Sequence, residues 1–359
     1  MATFNLSRPA SMYETGIGRG MGYRDSNQDI LGFVHMLPAR ARERILDIAA
    51  TQLSDGTCYH QYQPLTKKGN AGTGGDFYDD HLWLILSTCS YIKETGDLTI
   101  LDAPVGYADK PGSKETILHH LETSIAHTMK QRGPHKLPLI GHADWNDCLN
   151  LNCFSTEPNE SFQCAGDVND SIAESVMIAG LLLYATRELE GLYTSMKRTD
   201  DAKRIDANYA EMLDAIETHA WDGEWYIRAF DAKGNPVGSK VCKEGKIFIE
   251  SQAWCVLGGA GAPVRPRERA QAPLHAQRHH PATARLRDLL PRTRRGLQLP
   301  ARLQGKRRHL LPQQHVDQPR LVPAGRRRPR PSNATSASAP PPRNRRSRPT
   351  AANPTSTPR

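Results

Sequence analysis

Asp167-Val-Asn-Asp-Ser-Ile-Ala-Glu-Ser-Val-Met-Ile-Ala-Gly-Leu-Leu-Leu-Tyr-Ala-Thr-Arg-Glu-Leu-Glu-Gly-Leu-Tyr-Thr-Ser-Met-Lys197 reads as one long helix. Its apolar residues Ile172, Val176, Ile178, Ala179, Leu181, Leu182, Leu183 and Leu189 lie on more than one helical face, which predicts deep burial. Asn169, Asp170 and Ser171 are candidate caps at its start, since short polar side chains accept bonds from free backbone N–H groups there.

Working outward, the same helical spacing recurs. Pro38 to Leu53 carries Ile45, Ile48 and Leu53; Asp80 to Thr95 carries Leu82, Trp83, Ile85, Leu86 and Tyr91. Lys114 to Arg132 carries Ile117, Leu118, Leu121, Ile125 and Met129; Asp200 to Ala220 carries Tyr209, Met212, Leu213 and Ile216. Glu250 to Leu257 starts another helix. These intervals of three and four mark amphipathic helices and predict an all-α class. Glu224 to Phe230, followed by Asp-Ala-Lys-Gly-Asn, reads as a short strand entering a turn. Long polar loops, Gly16–Asp29, Ser54–Asp80 and Pro134–Cys153, separate the helices, and loops of that length in a helical domain tend to carry function.

The net charge of +9 is unevenly spread. Residues 261–359 hold 22 Arg and 1 Lys against Glu268, Asp288 and Asp317, a net of +20 that leaves −11 for residues 1–260. Of 26 prolines, 17 lie in that tail, and the last aromatic residue is Trp254. With no apolar face to bury, residues 259–359 are expected to be a disordered basic tail.

Seven cysteines are scattered without metal-site spacing, and seven cannot all pair within one chain. They fit a reducing cytoplasm, with Cys148 and Cys153 expected as packed thiols. No signal peptide is seen at the N-terminus, and no window approaches the roughly 20 apolar residues of a membrane span. No metal site is expected, and His119 and His120 are expected at a helix surface.

One loop concentrates chemistry. Pro138-Leu-Ile-Gly-His-Ala-Asp-Trp-Asn-Asp-Cys-Leu-Asn-Leu-Asn152 places Asp144 and Asp147 around Trp145 and Asn146. An indole face can stack on a sugar ring, amides and carboxylates bind hydroxyls, and a carboxyl in an apolar setting can serve as an acid. Equally, Asp144 or Asp147 could cap a helix over Cys148-Leu149-Asn150-Leu151. Gly16-Ile-Gly-Arg-Gly-Met-Gly22 lacks the spacing of a dinucleotide loop and reads as backbone that lets a ligand approach, with Arg19, Arg24 and Asp25 beside it. As charges alone, these three could equally be a weak surface cluster. Gly72-Thr-Gly-Gly75 is a flexible bend rather than a phosphate loop.

Arg19-Gly-Met-Gly-Tyr-Arg-Asp-Ser-Asn-Gln-Asp29, His60-Gln-Tyr-Gln-Pro-Leu-Thr66, Asp79-Asp-His-Leu-Trp-Leu-Ile85, Tyr91-Ile-Lys-Glu-Thr-Gly-Asp97 and Gly141-His-Ala-Asp-Trp-Asn-Asp-Cys-Leu-Asn150 together resemble cellobiose phosphorylase, among the inverting disaccharide phosphorylases of glycoside hydrolase family 94. The resemblance runs from residue 3 to about 258. It implies that residues 1–258 form part of an (α/α)6 barrel. It implies phosphorolysis of cellobiose to α-glucose 1-phosphate and glucose, with phosphate as co-substrate and no cofactor. Carried over by motif position, Asp147 is the general acid, Arg19, Asp25 and Trp145 hold the transferred glucosyl unit, and Arg8 helps bind phosphate. Related chitobiose or β-glucan phosphorylases and a cyclic glucan synthase module are alternatives, and intact members are commonly homodimers.

The chain departs from the family at both ends. Permitted codons for Leu297 to Pro312, read one nucleotide later, can spell Ser-Asn-Tyr-Pro-Pro-Gly-Tyr-Lys-Glu-Asn-Gly-Gly-Ile-Phe-Cys-His, which contains a family motif otherwise missing. The tail is therefore expected to be an out-of-frame translation of the phosphorylase gene. A closed or unrelated shifted frame in the coding DNA refutes this. A barrel short of several helices exposes apolar faces at about 25 cal/mol per Å2, so impaired activity is expected. The competing class is a basic protein that uses its tail on nucleic acid. The tail lacks aromatic interleaving, so no specific nucleic-acid partner is expected.

Overall fold

The computed structural model describes residues 20–63, 66–70, 76–154 and 172–261, and among the described residues helix α1 (Tyr23–Phe33) comes first. Arg8, Arg19, the bend at 72–75, the candidate caps Asn169, Asp170 and Ser171, and the chain beyond Gly261 lie outside the described residues. Next come α2 (Pro38–Ala49), α3 (Trp83–Thr95), α4 (Ile117–Lys130), α5 (Val176–Ser195), α6 (Thr199–Ala215) and α7 (Ile249–Gly258). The described chain is predominantly helical.

Strands are only two or three residues long, and all pair antiparallel. They are β1 (Met21–Gly22) with β2 (Gln61–Gln63) and β3 (Lys68–Gly69), β4 (Pro104–Val105) with β5 (Glu115–Thr116), and β6 (Glu174–Ser175) with β7 (Ala229–Phe230) and β8 (Pro236–Val237). The sequence did not signal most of them, because a two-residue pairing has no period to detect.

Helix α5 is the hub. It packs against α6 and α7 and touches α3, while α1, α2 and α3 pack on one another. Its close approach to α7 depends on glycines: a Cβ on Gly180 would lie 2.6 Å from the Cys255 backbone nitrogen, and one on Gly258 would lie 2.6 Å from Leu183 Cβ. Trp254 on α7 meets Trp83 on α3 edge-on, with centroids 5.2 Å apart, in a geometry that aromatic pairs favour.

Several expectations need correction. Helix α5 begins at Val176, not 167, and its cap is Ser175, whose Oγ accepts from the Ile178 N–H at 3.1 Å. Glu174 and Ser175 are extended because they pair with Phe230 and Ala229. Of the strand expected at 224–230, only Ala229 and Phe230 form one. The segment 23–29, read as loop, is helical. Its inward residues include Arg24, Ser26 and Asn27 beside Tyr23, Ile30 and Phe33, so a polar composition hid a buried face. Ser87 Oγ donates to Asn27 Oδ1 at 2.6 Å across the α1–α3 contact.

His120 is buried, not at the surface. Its Nδ1 meets Gln52 Oε1 at 2.7 Å and its Nε2 meets the Val105 carbonyl at 3.2 Å. Cys148 is exposed and Cys153 half-buried, so neither is the packed thiol expected. Among the described residues no helix is long and apolar enough to cross a membrane.

Candidate active site

The loop 138–152 is clamped by backbone and amide bonds on both sides. The Ile140 N–H donates to the Ala173 carbonyl at 2.9 Å, and the Ser175 N–H donates to the Pro138 carbonyl at 2.9 Å. The His142 N–H donates to the Asp76 carbonyl at 2.8 Å. Asn152 Nδ2 donates to the Gly141 carbonyl at 2.8 Å, and Asn152 Oδ1 accepts from the Ala173 N–H at 3.1 Å. Gly141 has φ +67°, and a Cβ there would stand 1.9 Å from the Asp76 carbonyl oxygen, so this turn requires glycine.

The two aspartates of the loop have opposite environments. Asp144 is buried. Its Oδ1 accepts from Arg228 Nη2 at 2.6 Å and from the Asn146 N–H at 3.1 Å, and its Oδ2 accepts from Ser175 Oγ at 2.7 Å. Ser175 thus caps α5 and also grips Asp144, beside the positive end of that helix. Asp147 is 55% exposed at its side chain, and its Oδ1 accepts from Arg24 Nη2 at 2.5 Å. No helix follows either residue, so neither caps a run at 148–151. The local bond there runs from the Leu149 N–H to the Asn146 carbonyl. Trp145, between the two aspartates, is 47% exposed.

Arg24 joins the loop to the rest of the fold. Its Nη1 donates to both oxygens of Asp79 at 3.2 Å and to the Asp144 carbonyl at 3.0 Å, and lies 3.8 Å from Asp80 Oδ1. Burial works against its charge, but Asp79, Asp80 and Asp147 outweigh that, and the guanidinium is held more firmly protonated than usual. Burial raises the Asp79 carboxyl above its ordinary range. Arg24 opposes that shift, while Asp80 and Asp144 add to it. Trp83 Nε1 donates to Asp79 Oδ2 at 3.1 Å.

Asp80 also holds His60, with Nδ1 and Oδ2 2.8 Å apart, and His60 stacks on Phe77 with centroids 3.9 Å apart. Burial lowers the affinity of His60 for a proton, but Asp80 overrides it and the net direction is upward. Among the described residues no group of three or more His, Cys, Asp or Glu side chains is arranged to hold a metal ion.

The structure places Asp147 and Trp145 on the clamped loop. Asp25, half-buried, is in the first turn of α1, one residue from the arginine that reaches Asp147. Its carboxyl folds back over Gly22, where a Cβ would meet Oδ2 at 2.4 Å. Arg8 and Arg19 lie outside the described residues. Reading the sequence missed the roles of Asp79, Asp80, Ser175 and Arg228, and treated Arg24 only as a loop charge. The one available signal was charged and polar residues at inward helical positions.

The Glycosyl hydrolase 94 superfamily, catalytic domain, matches residues 1–279. The chain belongs to this family. N,N'-diacetylchitobiose phosphorylase of Vibrio furnissii is 31% identical over 281 residues, which cover 71% of this chain and 32% of that protein. The enzyme of the same name from Vibrio proteolyticus is 29% identical over 290 residues, covering 74% of this chain and 34% of that one. Solabiose phosphorylase of Paenibacillus borealis is 30% identical over 260 residues, covering 72% and 31%. This glycosyl hydrolase 94 chain therefore spans about a third of the length of these curated relatives.

Proposed function

We propose that this chain carries the acid side of an inverting phosphorylase site acting on a β-linked glucosyl disaccharide, cellobiose. The carrying observation is that, of the three carboxylates around Arg24, Asp79 and Asp80 are buried and Asp147 is exposed, while the loop's other aspartate, Asp144, is buried against Arg228. Asp147 gives its proton to the glycosidic oxygen as the C1–O bond breaks. A phosphate oxygen attacks C1 from the opposite face, forming α-glucose 1-phosphate, and Asp147 regains its proton from water. Phosphate is already an anionic nucleophile, so the second carboxylate that inverting hydrolases use to activate water is not needed. Trp145 offers an exposed face for the glucosyl ring, with Asp25 and Arg19 binding its hydroxyls and Arg8 binding phosphate.

The fold proposed is part of an (α/α)6 barrel, supported by the packing of α3, α6 and α7 on α5 and of α1, α2 and α3 on one another. Cellobiose is proposed from the motif resemblance, while similar proteins act on diacetylchitobiose and solabiose. The test incubates the purified chain and its Asp147→Asn variant with phosphate and each of the three disaccharides. Asp147-dependent release of α-glucose 1-phosphate from cellobiose supports the proposal. Release of a sugar 1-phosphate from another disaccharide alone, which for diacetylchitobiose is N-acetylglucosamine 1-phosphate, overturns the substrate, and no release from any overturns the activity.

A further inference from the structure

We propose that Arg24 is the positioning residue of the general acid, a buried arm that holds the Asp147 carboxyl in the orientation from which it protonates the leaving group. The inference rests on the phosphorylase reading of Asp147. An aspartate side chain that is 55% exposed has rotamers to choose from, and among the described residues its carboxyl takes no hydrogen bond from its own loop. The Arg24 side chain, 5% exposed, supplies that restraint. Its rear is fixed by two bonds to Asp79 at 3.2 Å and one to the Asp144 carbonyl at 3.0 Å. Its remaining terminal nitrogen points forward to Asp147 Oδ1.

The rear anchors are themselves fixed. Trp83 Nε1 holds Asp79, and Arg228 and Ser175 hold Asp144. A chain of bonded groups thus runs from Trp83 on α3, Ser175 in β6 and Arg228 just before β7 to the exposed carboxyl of Asp147. Arg24 is too enclosed to be offered to substrate, so it acts through Asp147. A planar fork can bridge Asp79, the Asp144 carbonyl and Asp147 together, whereas a lysine ammonium cannot reproduce that geometry.

The test compares two donors with inorganic phosphate on the full chain: cellobiose, whose leaving oxygen needs a proton, and β-D-glucosyl fluoride. With the fluoride, the C1–F bond breaks to release fluoride ion and the C1–O bond to phosphate forms without an acid. Arg24→Lys keeps a cation beside Asp79 and Asp80. It is expected to lower kcat for cellobiose by about 100-fold, the scale of a small misplacement of a reacting group, with little change in KM. Turnover of the fluoride is expected to stay near that of the wild type.

Equal losses on both donors make Arg24 merely structural and overturn the inference. Should Arg24→Lys fail to fold by circular dichroism, Asp79→Asn, which loosens the rear of the arm, must show the same split in milder form or the inference falls. Asp147→Asn separates the two ideas. If it loses cellobiose turnover and spares the fluoride while the Arg24 and Asp79 variants do not, the acid assignment stands and the arm does not. If it shows no split, or the wild type turns over neither donor, the phosphorylase reading fails and takes the arm with it.

Discussion

Arg228 Nη2 donates to Asp144 Oδ1 at 2.6 Å, with both side chains at most 1% exposed. This buried pair occupies the Asp144 carboxylate and makes it a fastener between the loop 138–152 and the segment that leads into β7. Removing one partner of a buried pair leaves the other charge uncompensated. Asp144→Ala is therefore expected to destabilise the chain by about 3–5 kcal/mol, against about 1 kcal/mol or less for Asp147→Ala. Urea unfolding measures both. Similar losses for the two would mean that the environments assigned to them are wrong.

Trp145 is expected to matter for ligand and not for folding. Trp145→Ala should leave the unfolding midpoint within about 0.5 kcal/mol of the wild type, because half its surface is already in water. Sugar binding should weaken by roughly tenfold, the scale of one lost aromatic contact. Calorimetric titration with glucose reads the second effect, and unchanged affinity would remove Trp145 from the site.

Gly141→Ala should be the most damaging one-carbon change in the loop. The residue has φ +67°, and the new methyl would meet the Asp76 carbonyl at 1.9 Å. Backbone strain alone costs on the order of 1–3 kcal/mol, before the displacement of the segment at 76–77. Thermal unfolding of the variant, with activity measured beside it, checks this. A Tm equal to that of the wild type contradicts the geometry.

Stability is expected to fall in mild acid. Burial, and then the neighbouring His127, holds His81 well below its ordinary value of 6.5, and burial also lowers His120 and His127. A histidine whose affinity for a proton is lower folded than unfolded contributes stability above the unfolded value, and that contribution is lost as pH falls. His60 runs the other way: its raised value means its contribution is present in acid and fades as pH rises above 6.5. Asp79 joins His60 on the other side, because burial raises its carboxyl to about 7 and protonation then favours the fold as pH falls. The three histidines predict a declining Tm from about pH 7 to pH 5, offset in part by these two groups. His81→Asn should flatten that slope, and a slope unchanged by the substitution would show that His81 does not carry it.

Helices α2, α3, α4, α6 and α7 were legible because each shows its apolar face at intervals of three and four. Helix α1 was not, because its inward face includes Arg24, Ser26 and Asn27, whose burial is favourable only once Asp79, Asp147 and Ser87 are in place. The start of α5 was misplaced for a related reason. Ser175 is one of several possible caps by composition, and the pairing of Glu174 and Ser175 with β7 selects it.

By itself the sequence determined a helical chain, an acidic part of net −11 ahead of a basic tail, and contiguous motifs that name the family. All of these are local properties, set by spacing along a few turns or by residues adjacent in the chain. Tertiary structure alone decided which aspartate of Gly141-His-Ala-Asp-Trp-Asn-Asp147 is buried and which is exposed. Asp144 is neutralised by an arginine 84 positions later, and Asp147 is held at the surface by one 123 positions earlier. Burial and pairing determine what a carboxylate can do, and both come from partners that only the folded chain brings within hydrogen-bond distance.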